Sequence, residues 1–425
     1  MNRHGTWRPI LLAAAALAGM FIGPPRAAAG APPPPDDQWP RFRGHDGTGV
    51  SRAETVPVQW TEADYNWKVE LAGTGHASPV VWGNRVFVAS GLKDSAKRIV
   101  QCLKTEDGST LWQREFESKP CAQHNLNSYA TPTPAVDAER VYLCWAVPQQ
   151  YAVVALDHDG KDVWRRDLGP FASQHGHGAS PMVFGDTVVL ANDQNGESFL
   201  VALDAATGRT RWQTRRRSGK AAYSTPGVYR PDGEPPQLIF TSTAGGITSV
   251  DPGTGKVNWE LDDVFPERVV SSPVVAAGLI LGTCGTGSAG KHVVAVSPPK
   301  GPGGKPEVAY RVTRSAPYVP TPVAWADLVF LWGDTGTVTC IRAATGAEVW
   351  RERLGTHFFG SPVCVGGRLY AISTEGKVVV LAAAETYELP AENRLGEGSH
   401  ATPAVAGGRM YLRTLSHLVS IGGKR

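Results

Sequence analysis

Short apolar runs separated by glycine- and aspartate-rich turns fill most of the chain. In one representative stretch the runs cover residues 323–325, 328–332 and 337–341, and a more polar segment follows at residues 348–351. Runs of this length, bounded by turn residues, predict four short antiparallel strands. The 48 glycines and 33 prolines among 425 residues exclude a mainly helical bundle.

A Ser-Pro or Thr-Pro pair precedes an apolar run eight times along the sequence. The pairs are Ser78-Pro79, Thr133-Pro134, Ser180-Pro181, Thr225-Pro226, Ser272-Pro273, Thr321-Pro322, Ser361-Pro362 and Thr402-Pro403. Successive prolines are 40 to 55 residues apart. A repeat of this length with four short strands is typical of one β-propeller blade. We therefore predict an all-β fold, an eight-bladed β-propeller with four-stranded antiparallel blades.

An aromatic residue recurs out of phase with these pairs, mostly four residues after a turn glycine. It is Trp67, Trp112, Trp164, Trp212, Trp259 and Trp350, with Tyr310 and Tyr387 in two degenerate copies. Aromatic rings bury large areas, so we predict that they pack between blades. Trp67 precedes the first Ser-Pro pair, and beyond the apolar run that directly follows the last Thr-Pro pair only two more apolar runs remain. The N-terminal strand at residues 66–71 is therefore predicted to close the eighth blade.

Three segments carry a resemblance to a known family. Residues 202–212 are similar to the repeat of PQQ-like (quinoprotein-type) β-propellers, and residues 39–51 and 127–134 resemble exported bacterial members. The resemblance spans residues 39–421. It implies either an alcohol dehydrogenase that uses pyrroloquinoline quinone (PQQ) with Ca²⁺, or an envelope scaffold without quinone. The dehydrogenases have an adjacent Cys-Cys pair beside the quinone, whereas no two of the six cysteines here are adjacent.

The N-terminal residues predict export. Residues 1–29 combine Arg3 and Arg8 with an apolar run at residues 10–22 and a small-residue stretch, which is typical of a cleaved signal peptide. Residues 30–38, with four consecutive prolines, are predicted to be a linker, and residues 39–425 the propeller. We expect a periplasmic or secreted protein with no transmembrane segment after cleavage. Because the first cysteine is Cys102, we expect no lipid anchor on an N-terminal cysteine.

The charge balance bears on the class of partner. The sequence has 42 Lys and Arg against 39 Asp and Glu, and the signal segment holds three of the arginines and no acid. The exported protein is therefore neutral, since 42 − 3 − 39 = 0, and we expect no nucleic-acid binding.

The candidate site lies just before the Ser/Thr-Pro pairs. In a propeller, the links between blades and the loops between the second and third strands lie on the same face. Residues three to five places before each proline are expected at the mouth of the central channel on that face. Those places, with their close neighbours, hold His76, Tyr129, His175, His177, Tyr223, Tyr318, His357 and His400. Asp193, Gln194 and Asp334 lie in loops on the same face and could add oxygen ligands or a base.

Three of the histidines fall on neighbouring blades. His76, His357 and His400 could converge on one ligand or metal ion. The alternative is that each imidazole bonds to a neighbouring backbone group or blade.

These observations support two classes of function. The first is a non-catalytic binding or scaffold module of the cell envelope, monomeric, with a protein, peptide or saccharide on the channel-mouth face. The second is a periplasmic oxidoreductase dependent on PQQ or a metal, with that face as its active site. PQQ with Ca²⁺ enters only through the family resemblance.

Overall fold

The computed structural model describes residues 1–2, 36–287, 289–301 and 304–423. The predicted signal peptide, apart from its first two residues, and most of the predicted linker lie outside these ranges. Within the described residues, no helix has the length and apolar character needed to cross a membrane.

The described residues are almost entirely β-structure, as predicted. The two short 3₁₀ helices among them are His45–Gly47 and Glu62–Asp64. In sequence order the strands are β1 (Gln38–Trp39), β2 (Val50–Ser51), β3 (Tyr65–Glu70), β4 (Val80–Trp82), β5 (Arg85–Gly91), β6 (Arg98–Lys104), β7 (Thr110–Phe116), β8 (Ala135–Val136), β9 (Arg140–Val147), β10 (Gln150–Asp157), β11 (Asp162–Asp167), β12 (Met182–Phe184), β13 (Thr187–Asn192), β14 (Ser198–Asp204), β15 (Thr210–Arg216), β16 (Gly227–Tyr229), β17 (Gln237–Ser242), β18 (Gly246–Val250), β19 (Val257–Leu261), β20 (Val274–Ala276), β21 (Leu279–Cys284), β22 (His292–Ser297), β23 (Glu307–Val312), β24 (Val323–Trp325), β25 (Leu328–Trp332), β26 (Thr337–Arg342), β27 (Glu348–Arg353), β28 (Val363–Val365), β29 (Arg368–Ile372), β30 (Lys377–Ala382), β31 (Ala391–Arg394), β32 (Ala404–Ala406), β33 (Arg409–Arg413) and β34 (His417–Gly422).

These strands form eight antiparallel blades, which confirms the predicted propeller. Blades 1 to 7 are β4–β7, β8–β11, β12–β15, β16–β19, β20–β23, β24–β27 and β28–β31, each running from its innermost to its outermost strand. Blade 8 is β32–β34 with β3 as its outermost strand. We call the face that carries the links between blades, and the loops between second and third strands, the upper face. The opposite face, which carries the other turns of each blade, is the lower face.

The middle strands of a blade are more buried than its outermost strand, as expected for blades stacked in a ring. The middle strands β13 and β14 are buried along almost their whole length, because neighbouring blades cover both of their faces. The outermost strand β15 alternates between exposed and buried positions, because only one of its faces is covered.

The repeated tryptophans join each blade to the next. The Trp212 indole is 7% exposed, and its Nε1 donates to the carbonyl of Pro252 in the next blade at 2.8 Å. Trp164 bonds Ala205 in the same way. Gly255 and Gly208 have positive φ, and a Cβ at either position would lie 2.6–2.7 Å from the ring of Trp212 or Trp164. The turn glycine therefore lets the backbone approach the indole of the preceding blade.

The Ser/Thr-Pro pairs form a closed ring of hydrogen bonds. The amide N–H of each Ser or Thr donates to the side-chain hydroxyl of its counterpart in the next blade, over 2.9–3.3 Å. The ring closes where Thr402 of blade 8 donates to Ser78 of blade 1 at 3.1 Å. All eight bonds are buried, so each satisfies a donor that would otherwise be costly to bury.

The eighth blade closes as predicted. Strand β3 pairs antiparallel with β34, with Trp67 opposite Ser420. Arg413 in β33 reinforces this seam, because its fully buried guanidinium donates to the carbonyls of Ala77 and Ala89 and to Ser90 Oγ in blade 1. The first and last strands of the ring thus hold each other in place.

Residues 36–55 occupy the centre of the ring, which the sequence pattern does not predict. Strand β1 pairs with the innermost strand of blade 1, and β2 with the innermost strand of blade 7. Gln38, assigned to the linker from sequence, is part of β1. The carbonyls of Asp36 and Asp37 accept from the hairpins of Gly407 and Gly83 at the lower face. We call residues 36–55 the plug, because they enter the channel from below and return.

Two arginines fix the plug to the ring. Arg43 is fully buried and donates to the carbonyls of Thr321, Pro322 and Pro362 at 2.8–3.3 Å. Arg41 bonds the carbonyl of Pro226 on blade 4. Burial lowers the pKa of Arg43 to about 9, which leaves the guanidinium charged at neutral pH. The carbonyls of the Ser/Thr-Pro pairs that line the channel therefore hold the plug.

We predict that closure depends on β3. A protein starting at Asp36 should have the same melting temperature as the full-length protein. A protein starting at Glu62 should have a lower melting temperature because it lacks the plug. A protein starting at Ala72 should have the lowest, because β34 becomes an open edge. Thermal unfolding followed by circular dichroism measures all three. Equal melting temperatures for the proteins starting at Asp36 and Ala72 would refute closure by β3.

We also predict that Trp212→Ala lowers the free energy of unfolding by ~3–5 kcal/mol, because it leaves a cavity between blades 3 and 4. Trp212→Phe keeps an aromatic ring but loses the bond to Pro252, so its loss should be smaller. Urea titration measures both. A change below ~1 kcal/mol for the alanine variant would contradict a packing role.

Candidate functional site

The structure divides the candidate residues of the upper face into two clusters and several isolated positions. One cluster is formed by His76 and His400 near the seam of blades 8 and 1. The other surrounds Tyr223 and Tyr318 over blades 3 to 6. The remaining candidates lie between these clusters or inside the blades.

The histidine cluster is a stack of rings. The His76 and His400 ring centroids are 4.5 Å apart, and Phe359 packs on His400 at 4.9 Å. Burial, the neighbouring His400 and the buried Arg413 lower the pKa of His76 to about 3. Burial also lowers the pKa of His400. Both imidazoles are therefore neutral at physiological pH.

His357 does not complete this cluster as a metal site. Its side chain is exposed, and its carbonyl accepts from the amide of Thr374 at 2.9 Å. In the part of the protein that the structure describes, no three His, Cys, Asp or Glu side chains are grouped to hold a metal ion. His76 and His400 therefore pack against each other, and the exposed His357 is not part of their stack.

The second cluster is built around Arg268, which was not among the residues predicted from sequence. Tyr318 interacts with the Arg268 guanidinium. The positive charge of Arg268 also acts electrostatically on Tyr223. The Tyr223 hydroxyl lies 3.1 Å from Ser173 Oγ, and Arg268 Nη2 donates to Gln174 Oε1 at 3.4 Å. Four successive interblade links thus meet here.

Positional reasoning could have found this arginine. Arg268 is five residues before Pro273, inside the same window that selected the histidines and tyrosines. A charged side chain in this window is therefore a sequence signal of the same kind as the imidazoles and phenols.

Two further histidines lie beside this cluster. His177 is 7% exposed and packs edge-on against Tyr151 and Phe171, at 4.6 and 5.1 Å. Neither ring nitrogen has a hydrogen-bond partner among the described residues, and burial, then the charge of Arg98, lowers its pKa to about 3. His175 packs against His124 at 5.0 Å.

The acidic and amide candidates are already engaged. Asp193 forms a buried ion pair with Arg216 at 2.9 Å. Asp334 accepts from the amides of Tyr318 and Val319 and from Lys291 Nζ, at 2.8–3.1 Å. These carboxylates position loops.

Two polar candidates likewise hold loops. Gln194 bonds Pro170, Ala172 and Asn192. Tyr129 lies under the Arg98 guanidinium at 4.6 Å and bonds the backbone of Cys121.

The described side chains do not fit a calcium–quinone site of the kind that the resemblance implies. All six cysteines are free thiols. Asp193 and Asp334, the acids proposed as oxygen ligands, are each bound to a cation of the protein. We therefore derive no chemistry through PQQ.

Comparison with known proteins adds independent information. The family model described as outer membrane protein assembly factor BamB matches residues 52–146, 149–303 and 334–421. Outer membrane protein assembly factor BamB of Burkholderia pseudomallei is 23% identical over 371 residues, which cover 85% of this protein and 87% of that one.

Solved structures with similar folds include a BamB protein and two dehydrogenases. BamB from Moraxella catarrhalis is 17% identical with a TM-score of 0.59, covering 84% of this protein and 96% of that one. A europium-containing methanol dehydrogenase is 13% identical with a TM-score of 0.64, covering 88% and 89%. The quinohemoprotein alcohol dehydrogenase from Comamonas testosteroni is 14% identical with a TM-score of 0.65, covering 92% and 81%. At these identities the similarity concerns the fold.

We predict that His177 makes stability depend on pH. Its pKa is about 3 in the folded protein and about 6.5 when unfolded, so its neutral form stabilises the fold above pH 6.5. That contribution is lost as the pH falls from 6.5 toward 3, by up to ~1.4 kcal/mol per pH unit.

Urea titrations from pH 7 to pH 4.5 measure this loss. His177→Phe should flatten the pH profile, whatever its stability at pH 7, and His357→Phe should not, because His357 is exposed. An unchanged slope in His177→Phe would show that His177 does not resist protonation in the fold.

Proposed function

This protein belongs to the family described as outer membrane protein assembly factor BamB, and from that premise we propose that it is an exported, non-catalytic scaffold that binds a protein partner in the cell envelope through its upper face. The observation that carries this proposal is that two grooves and the guanidinium of Arg268, which has no acidic partner among the described residues, lie on one face.

The upper face offers shaped surfaces. A groove of about 530 Å³ between blades 2 and 3 is lined by side chains that include Leu168, Phe171, Gln174 and Phe199. A second groove of about 490 Å³ between blades 5 and 6 is lined in part by Lys291, Ser315 and Asp334. Grooves that mix apolar walls with a few polar groups are typical of binding sites.

The lower face is committed to the fold. Its turns receive the tryptophan indoles, as at Ala205 and Pro252. Several of its charges are paired, including Arg211 with Asp204 and Arg342 with Glu385. The tryptophan contacts thus use this face for packing between blades.

A scaffold role also agrees with the rigidity of the upper face. The links between blades end at the buried hydrogen-bond ring, and Asp193, Gln194 and Asp334 fix the loops beside them. Binding to such a preorganised surface costs little conformational entropy.

Site-specific photocrosslinking in cells tests this proposal. A photoreactive amino acid at the exposed upper-face position Gln174 or His357 should give a discrete crosslinked protein, identified by mass spectrometry. The same amino acid at Asp159, in a lower-face turn, should not. Equal crosslinking from both faces, or none from the upper face, would contradict the proposal.

The enzymatic alternative has its own readout. Purified protein incubated with PQQ and Ca²⁺ should retain no quinone absorbance after gel filtration, because the described side chains do not fit that site. A retained chromophore together with alcohol-dependent dye reduction would favour a dehydrogenase over a scaffold.

A further inference from the structure

The charges around Arg268 leave its guanidinium without an acidic partner. Glu267, the adjacent residue, pairs with Lys220 at 2.8 Å. Asp334, the acid that faces Tyr318, pairs with Lys291 at 3.1 Å. In the residues that the structure describes, Arg268 forms no ion pair, and its buried Nε has no hydrogen-bond partner.

The groups beside this cation could complete a site for an anion. The Tyr318 phenol interacts directly with the guanidinium, and the charge of Arg268 acts on Tyr223, whose hydroxyl lies 3.1 Å from Ser173 Oγ. Phenols donate hydrogen bonds to carboxylates. Both rings are held by packing, since a Cβ on Gly178 would lie 3.0 Å from Tyr223 and one on Gly285 3.2 Å from Tyr318. Arginine binds planar carboxylates through two parallel hydrogen bonds.

An apolar groove adjoins the cation. Gln174, which accepts from Arg268, is also part of the wall of the 530 Å³ groove with Leu168, Phe171 and Phe199. A ligand with a carboxylate on Arg268 could therefore place a neighbouring apolar side chain in this groove.

We propose that Arg268, with Tyr223 and Tyr318, binds a carboxylate of the protein partner, next to an apolar residue that lies in the groove between blades 2 and 3. This inference rests on the proposed function, because it names the chemistry by which the upper face recognises its partner. The carboxylate belongs either to the partner's C-terminal residue or to an acidic side chain.

Capped dipeptides distinguish these two sources. Acetyl-Leu-Phe with a free C-terminus and acetyl-Leu-Glu-amide each carry one carboxylate, and acetyl-Leu-Phe-amide and acetyl-Leu-Gln-amide are their neutral controls. In protein labelled with ¹⁵N-arginine, the carboxylate probes should shift the Arg268 Nε–H resonance with dissociation constants near ~1 mM, and the neutral probes should not. The tighter of the two carboxylates identifies the source.

Variants distinguish a specific carboxylate site at Arg268 from general electrostatic attraction to the face. Affinity followed through the ligand signals should fall at least tenfold in Arg268→Gln and several-fold in Tyr318→Phe. Arg314→Gln removes the same charge from an exposed position of the same face, so it should change affinity less than twofold. Equal losses in the two arginine variants, or equal binding of the neutral probes, would overturn the inference.

Two outcomes distinguish the carboxylate site from the scaffold role. Upper-face crosslinks that persist in Arg268→Gln would overturn the carboxylate site and leave the scaffold role standing. Carboxylate binding without any upper-face crosslink would refute the scaffold role alone.

Discussion

The ring of hydrogen bonds between successive Ser/Thr-Pro pairs is the interaction on which the rest of the structure depends. Each Ser or Thr acts twice, as an amide donor to one neighbour and a hydroxyl acceptor from the other, so the eight blades share one buried network. Proline follows each time, and its carbonyl can face the channel. Three such carbonyls, of Pro226, Pro322 and Pro362, bind the plug arginines. One dipeptide therefore specifies both the spacing of the blades and the lining of the channel.

The plug determines what kind of surface the ring presents. Residues 36–55 pair with innermost strands of blades 1 and 7 and place Arg41 and Arg43 against the carbonyls of Pro226, Pro322 and Pro362, so the protein's own residues line part of the channel. The loops of the upper face are fixed by internal bonds such as Asp334 to the Tyr318 amide, and Arg268 remains available between two tyrosines.

Features that repeat were predictable from sequence. The Ser/Thr-Pro pairs, the tryptophans and closure by the strand containing Trp67 are each set by a local pattern or by a count of strands, so the fold followed. The plug was not predictable in this way, because it occurs once and its partners are backbone carbonyls 185 to 319 residues away.

The sequence window before each Ser/Thr-Pro pair selected side chains of which two, His76 and His400, pack against each other. Which side chains are free depends on three-dimensional partners that no spacing reveals. Asp193 and Asp334 are predicted oxygen ligands from sequence, but the structure pairs them with Arg216 and Lys291. Arg268 occupies the same sequence window and forms no ion pair among the described residues.

Hydrogen exchange at the backbone amides of the eight Ser/Thr-Pro pairs tests the central claim that one continuous ring of hydrogen bonds holds the propeller together. NMR should show the amides of Ser78, Thr133, Ser180, Thr225, Ser272, Thr321, Ser361 and Thr402 in the slowest exchanging class, all with the free energy of global unfolding. Fast exchange confined to Ser78 and Thr402, at the seam, or protection that varies from blade to blade, would show that the ring is open and contradict the account.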